Sequence, residues 1–216
     1  LNTVTALTLP GSFTVGAAAA YAVTEIGNYA FNESAITAVT IPASVVTIDF
    51  HAFKYTSALA TVTFAGTSAC ETINNYAFQN SAITAIAIPA SVLTIGYQAF
   101  NNTTSLATVS ISSAMTSYGA DAFATGRTGN LVVTVTDITG PNTLAVWRND
   151  NYDATFSVAS GTVTFTDANS AIYAQTVALV DYLFTVDVDN KATITGASAL
   201  NTVTALTLPG SFTVGA

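Results

Sequence analysis

The chain is expected to fold as a mainly β solenoid of about five to six stacked coils, with a small β connector or cap. Three observations carry this expectation. The dipeptide Ala-Phe recurs with its phenylalanine at Phe31, Phe53, Phe78, Phe100 and Phe123, in steps of 22, 25, 22 and 23 residues. Between these markers an apolar-x-x-apolar-x-apolar pattern returns, as Ile36/Val39/Ile41, Leu59/Val62/Phe64, Ile83/Ile86/Ile88 and Leu106/Val109/Ile111. On a larger scale, LNTVTALTLPGSFTVGA occupies residues 1–17 and again residues 200–216, an offset of 199. An identity of that length does not arise by chance. It reads as the start of a second block in a chain built from near-identical blocks of about 199 residues.

Each part of a coil has a physical reason. Stretches such as TAVTI and ATVTF alternate and are rich in β-branched residues, which predicts a short strand with one buried face. Pro10, Pro42 and Pro89 follow such strands and, lacking an N–H, stop the ladder. A second apolar pair comes next (Val45/Ile48, Val92/Ile95), then Gly or Asp, then the Ala-Phe turn. The phenylalanines are expected to point inward as a stack, with the preceding alanine letting the backbone bend closely. The pattern starts at Val4/Leu7/Leu9, is copied at Val203/Leu206/Leu208, and ends loosely at Leu131–Val135. Two departures are the GTSACE insertion at Gly66–Glu71 and the long run Gly11–Ala22. A unit of 22 residues cannot bury its apolar face alone, so the coils must share one continuous core.

Residues 136–180 lack the Ala-Phe marker but contain TLAVW, DATFSVA, GTVTFTD and QTVALV, which read as short strands. They form a β connector or a C-terminal cap, with two arrangements open. Trp147 covers the last coil, or the segment joins the following hairpin in a small sandwich between solenoids. That hairpin is read from Phe184/Val186/Val188 and Ala192/Ile194 around the turn at Asp189-Asn190.

The stretches ITAVTIPASVVTIDFHAF, ITAIAIPASVLTIGYQAF and VTEIGNYAFNESAITAVTIP place Pro, Ile-Gly and Ala-Phe in register over several coils. In this the sequence resembles the BspA-like leucine-rich repeat family, found on many bacterial and some protist surfaces. The resemblance covers residues 1–135 and implies a leucine-rich-repeat solenoid engaged in surface adhesion or assembly, without catalysis. YLFTVDVDNKATITG at Tyr182–Gly196 resembles the hairpin that precedes such arrays. Residues 181–199 are accordingly assigned as the N-capping hairpin of the next block and residues 200–216 as that block's start.

Composition narrows the function. Only 7% of residues are charged and the net charge is −8, which disfavours nucleic acid and anionic membrane surfaces. No apolar run reaches the length of a membrane span; the longest weakly polar stretch is Val15–Val23. No charged n-region precedes an apolar h-region. Half of the residues are hydrophobic, which disfavours disorder and leaves a surface of Thr, Ser, Ala and Asn able to pack against copies of itself.

Candidates for chemistry are few. Cys70 is the only cysteine and reads as a small buried hydrophobe. His51, the only histidine, stands where other coils carry Tyr29, Tyr76 or Gln98, so it reads as a coil position and not a catalytic base. Asp187, Asp189 and Asn190 form one acidic turn and Asp150 and Asp153 another; either could hold structural Ca²⁺ through oxygen, against the reading of solvated turns. No cofactor is otherwise expected. Asn32, Asn101 and Asn102 open formal glycosylation triplets. Lys191 could form an isopeptide cross-link. Tyr29, Tyr55, Tyr76, Tyr97 and Tyr118 recur beside the phenylalanine markers, as an aromatic ladder covering the turn edge or as an interaction face.

The resulting expectation is a non-enzymatic, extracellular or cell-surface repeat block that self-assembles into a filament through its solenoid ends and low-charge faces. Its partners are copies of itself. The alternative is an adhesin that binds a host protein or glycan through the solenoid face.

Overall fold

The structure is a computed structural model that describes residues 5–16, 19–123 and 129–137 with their side chains, and the backbone of four later strands. The strands in chain order are β1 (Ala6–Thr8), β2 (Ser12–Phe13), β3 (Tyr21–Ala22), β4 (Glu25–Ile26), β5 (Ala38–Ile41), β6 (Thr47–Ile48), β7 (Thr61–Phe64), β8 (Thr72–Ile73) and β9 (Ala85–Ala87). They continue with β10 (Thr94–Ile95), β11 (Thr108–Ser112), β12 (Ser117–Tyr118), β13 (Leu131–Thr136), β14 (Ser160–Thr166), β15 (Ile172–Ala178), β16 (Asp181–Val186) and β17 (Ala192–Ser198). No helix occurs among the described residues.

Each coil gives one strand to a main sheet and a two-residue strand to a second, narrower sheet. The main sheet runs β1-β5-β7-β9-β11-β13-β14-β15 and the narrow one β12-β10-β8-β6-β4. Neighbouring strands in both are parallel, except that β15 lies antiparallel to β14. This is the predicted solenoid, with about five turns. The register stacks like on like: Leu7 on Val39, Val39 on Val62, Ile86 on Val109, and Val109 on Val133. Alternation explains it, since Val39 and Ile41 are buried while Ala38 and Thr40 face outward. The prolines act as expected. Pro42 and Pro89 follow β5 and β9, and their carbonyls accept from Val45 and Val92 N–H at 3.1 and 3.0 Å to turn the chain.

Two connector strands, β14 and β15, extend the main sheet beyond β13, while β16 and β17 pair antiparallel as a separate two-stranded sheet. Trp147, the Asp189-Asn190 turn, Lys191 and residues 200–216 lie outside the described residues.

The Ala-Phe turns form a third line of contact between coils. The N–H groups of Tyr29, Phe31 and Glu33 donate to the carbonyls of Phe50, Ala52 and Lys54 in the next coil, at 3.1, 2.7 and 2.9 Å. Between them Ala30, Asn32 and Ser34 donate backwards within their own coil, each at 3.1 Å. The same pattern recurs around Phe78, where Tyr76, Phe78 and Asn80 donate to Tyr97, Ala99 and Asn101. Left-handed backbone brackets each phenylalanine, two residues before it and, in four of the five turns, two residues after it. Tyr29, His51, Tyr76, Gln98 and Asp121 hold φ between 52° and 60°, and so do Glu33, Tyr55, Asn80 and Asn102. Left-handed backbone costs a non-glycine residue about 1–2 kcal/mol, offset here by the backbone hydrogen bonds that join one turn to the next.

The core is a set of columns. Phe53, Phe78, Phe100 and Phe123 are fully buried, and with Phe31 they stack at centroid distances of 5.0–5.1 Å with planes within 8° of parallel. That separation follows from the strand spacing of about 4.8 Å. Ala52, Ala77, Ala99 and Ala122 are fully buried beside them, which leaves no room for a larger residue. Three residues after their phenylalanines, Thr56, Ser81 and Thr103 are buried, and the Thr56 and Thr103 hydroxyls each donate to the phenylalanine carbonyl at 2.6 Å. Gly96 and Gly119 mark the closest approach between coils. A Cβ there would sit 2.5 Å from Asn75 N and 2.1 Å from Tyr97 N.

Two outcomes follow for stability in urea. Phe78→Ala should lose about 3–5 kcal/mol, the usual range for emptying a buried phenylalanine site. Phe31→Ala, at the half-buried end of the column, should lose clearly less. Gly119→Ala should lose about 1–3 kcal/mol through overpacking, because the obstructing atoms are backbone. Equal losses at Phe31 and Phe78 would contradict the end-to-centre gradient.

Candidate functional site

The turn ladder brings polar and aromatic side chains into columns along one edge of the solenoid. Residues two positions before each marker phenylalanine lie above one another: Tyr29, His51, Tyr76, Gln98 and Asp121. Their rings stack, Tyr29 on His51 at 4.6 Å and His51 on Tyr76 at 5.0 Å, with planes within 7°. Tyr97 then meets Tyr76 edge-on at 5.3 Å. Residues two positions after the phenylalanine give a second column, Glu33, Tyr55, Asn80 and Asn102. Lys54 lies between the columns, its Nζ 4.9 Å from the Tyr55 ring and 5.1 Å from the Tyr76 ring, a cation–π geometry worth about 0.5–1 kcal/mol at an exposed site.

Further along, the edge turns from aromatic to amide. Gln79 Nε2 donates to Gln98 Oε1 at 3.2 Å and to Asn101 Oδ1 at 3.3 Å, and the Asn102 amide donates to Asn80 Oδ1. Glu33, Tyr55, Asn80, Asn102 and Ser105 border an open groove of about 710 Å³. Its walls offer hydroxyls and amides, which suit a polar, hydrogen-bonding ligand.

The five predicted tyrosines do not share one face. Tyr29 and Tyr76 belong to the first column, Tyr55 to the second, and Tyr97 lies one residue outside the first. Tyr29, Tyr55 and Tyr97 are exposed. Tyr118 stands apart: it replaces the isoleucine of the narrow sheet, in register with Ile95, and packs against the core, where burial pushes its hydroxyl well above the usual tyrosine range. Sequence reading did not single out Gln79, Asn80 or Lys54, and named Gln98 only as a coil position and Asn102 only in a glycosylation triplet. Their signal is a constant offset from each phenylalanine.

The remaining candidates lack the arrangement that chemistry needs. His51 completes an aromatic stack, and its buried Nδ1 has no hydrogen-bond partner, whereas a catalytic histidine has that nitrogen oriented by a carboxylate. Cys70 is fully buried in the column of Val45, Val92 and Met115, and burial pushes its thiol up to about 11, away from the thiolate a nucleophile requires. No group of three or more His, Cys, Asp or Glu able to hold a metal ion occurs among the described residues. The Ca²⁺ candidates Asp150, Asp153, Asp187, Asp189 and Asn190 all lie outside them. No helix of the described residues is long and apolar enough to cross a membrane.

The His51 stack makes a pH-dependent contribution with a definite sign. Burial first, and then the charge of Lys54, hold His51 below the ordinary histidine pKa of 6.5. The unfolded chain therefore binds the proton more readily. The stabilisation is complete above about pH 6.5 and is lost as the pH falls through the folded value. The urea midpoint of the chain should drop more between pH 7.5 and pH 5 than that of His51→Tyr, which keeps a ring in the column. An equal drop in both proteins would exclude a titrating histidine here.

Comparisons with known proteins agree with this geometry. A leucine-rich repeat protein from Bacteroides capillosus is 40% identical over 41% of this chain and 63% of its own length, with a TM-score of 0.38. The pneumococcal vaccine antigen PcpA is 25% identical over 78% of this chain and 44% of its own, with a TM-score of 0.52. A leucine-rich repeat protein of T. pallidum matches 75% of this chain and 70% of its own length at 20% identity and a TM-score of 0.54, a likeness of fold. The chain thus spans less than two thirds of the first two. No curated protein sequence matches it. The family description of the BspA type leucine rich repeat region matches residues 24–150, in 6 copies. With six repeats matched over more than half its length, the chain belongs to the BspA-type leucine-rich repeat family.

Proposed function

We propose that the chain is a repeat block of a non-enzymatic cell-surface protein, and that such blocks join into an extracellular filament. Membership of the BspA-type leucine-rich repeat family, with a likeness to a pneumococcal vaccine antigen, supports the surface location. One observation carries the filament. Residues 1–17 recur without change at 200–216, and the first copy supplies β1, the opening strand of the main sheet. The second copy is therefore written to open a further solenoid of the same kind. Lateral packing has a suitable surface in the outward positions of the main sheet: Ala38 and Thr40, Thr61 and Thr63, Ala85 and Ala87, Thr108 and Ser110. All are small and uncharged, so little desolvation or side-chain entropy opposes contact. The net charge of −8 keeps dispersed blocks soluble.

The second reading is an adhesin, favoured by the exposed Tyr29, Tyr55, Phe50 and Tyr97 along the turn edge. The two readings differ in what the isolated protein does. Electron micrographs of the native material should show fibres with an axial repeat of one block and no partner required. Dispersed chains that bind a host protein or glycan, with binding lost in Tyr55→Ala, would establish the adhesin instead.

A further inference from the structure

The groove on the turn edge arises where coils of unequal length stack. Leu59, Ile83 and Leu106 are equivalent buried positions, each at the same distance before main-sheet strands that pair in register. The chain takes six residues from Phe53 to Leu59 and six from Phe100 to Leu106, but five from Phe78 to Ile83. A short coil thus runs between two longer ones. Its Ser81 and Ala82 line the groove between Ser57 on one side and Thr104 and Ser105 on the other. Along the border stand Glu33, Tyr55, Asn80 and Asn102, one from each successive coil. Coils are about 4.8 Å apart, so the groove is elongated along the solenoid axis and suits a chain of linked units.

The chemistry of the lining selects the ligand. The Asn102 amide donates to Asn80 Oδ1. This leaves the Asn80 NH₂ as a donor and the Asn102 Oδ1 as an acceptor on adjacent coils. Two neighbouring hydroxyls on one ring match that pair, one accepting while the other donates. Ser81 is only 4% exposed, and its Oγ has no hydrogen-bond partner in the structure, whereas its equivalents Thr56 and Thr103 bond the phenylalanine carbonyls. A buried hydroxyl left unsatisfied is costly, and a ligand hydroxyl seated over Ser81 relieves that cost once the side chain turns toward it. The Tyr55 ring, 48% exposed at the lip, offers an apolar face beside these polar groups. Other ligand classes fit poorly. The lining contains no Lys or Arg, and Glu33 repels anions. Ala82 is its only aliphatic residue, so it lacks the apolar pocket that anchors a protein partner.

We infer that this groove binds a neutral oligosaccharide. Tyr55 stacks on the C–H face of a sugar ring, Asn80 and Asn102 hold a pair of adjacent hydroxyls, and the Glu33 carboxylate accepts from a further one. The inference rests on the adhesin reading and narrows its ligand to a glycan bound at a stated site.

The test applies the full chain to an array of immobilised neutral, sialylated and sulfated oligosaccharides, and titrates the best binder in solution by calorimetry. Binding is expected to neutral members only. Tyr55→Asn, Asn80→Gly and Asn102→Gly keep residue types that tolerate left-handed backbone. Each should weaken binding about ten-fold or more, as expected when a ring contact or a buried hydrogen bond is lost. Ser81→Ala should also weaken it while leaving the urea midpoint unchanged or higher, a combination that a purely structural serine would not produce. Ala82→Gln should block the groove. Phe50→Ala removes an exposed ring that does not border the groove, and affinity should be unchanged. A blank array, a preference for acidic glycans, or equal losses in Phe50→Ala and Tyr55→Asn overturns the proposal. A blank array from a chain that still binds a host protein would leave the adhesin reading standing and remove the glycan; loss of both would remove the adhesin.

Discussion

The distance between successive coils governs everything else in this molecule. It is fixed by backbone hydrogen bonding at three places around each coil: the main sheet, the narrow sheet and the Ala-Phe turn stack. The turn stack makes the most demanding contribution, because a turn has no natural reason to send N–H groups along the stacking axis. The flipped residues before and after each phenylalanine accept a strained backbone to do so. Once the spacing is set, every side-chain position becomes a column. Phenylalanines must stack in parallel, alanines must stay small, and Gly96 and Gly119 must lack a Cβ.

Columns also explain what could and could not be read from sequence. Apolar alternation and the Ala-Phe marker are direct consequences of burial, so the strands, their inward residues and the phenylalanine stack were legible. Cys70 and His51 were legible for the same reason, since each occupies a position whose equivalents in other coils are plainly structural. Side-chain grouping on the exposed edge was not. In a coil of about 22 residues a shift of one position changes the face. Tyr76 lies two residues before its phenylalanine, Tyr97 three, and Tyr118 five, and these fall respectively in the ring stack, beside it, and in the narrow sheet against the core. Proximity to the marker suggested one ladder, whereas offset from it decides the column. The left-handed positions gave no uniform signal, because Asn80, Asn102 and Asp121 are of the types that favour this backbone whereas Tyr29, Tyr55, Tyr76, Glu33 and Gln98 are not.

A solenoid solves burial only in its middle. Phe53, Phe78, Phe100 and Phe123 are fully buried, while Phe31 is half-buried and the residues of β2 and β3 are exposed. The far end is treated differently. There β14 and β15, each of seven residues, prolong the main sheet past the last repeat, and the antiparallel β15 breaks the parallel stacking. A parallel ladder offers the same edge to any further strand, and an antiparallel closing strand no longer matches it. The described main sheet is thus bordered in two ways: β1 lies parallel to β5 in the repeat's own register, and β15 lies antiparallel to β14.

This asymmetry bears on which surface serves which role. A contact between identical blocks needs a surface that is uniform along the axis, and the outward main-sheet positions are uniform: small, uncharged, and alike from β5 to β11. Recognition of a distinct ligand needs the opposite. The turn edge has it, passing from Tyr29, His51 and Tyr76 through Gln98 to Asp121. Neutral repetition has been kept on one face while side-chain identity varies on the other, although both hang on the same backbone spacing. In the proposed filament, packing through the main sheet would leave that graded edge, between Tyr29 and Asn102, unobstructed.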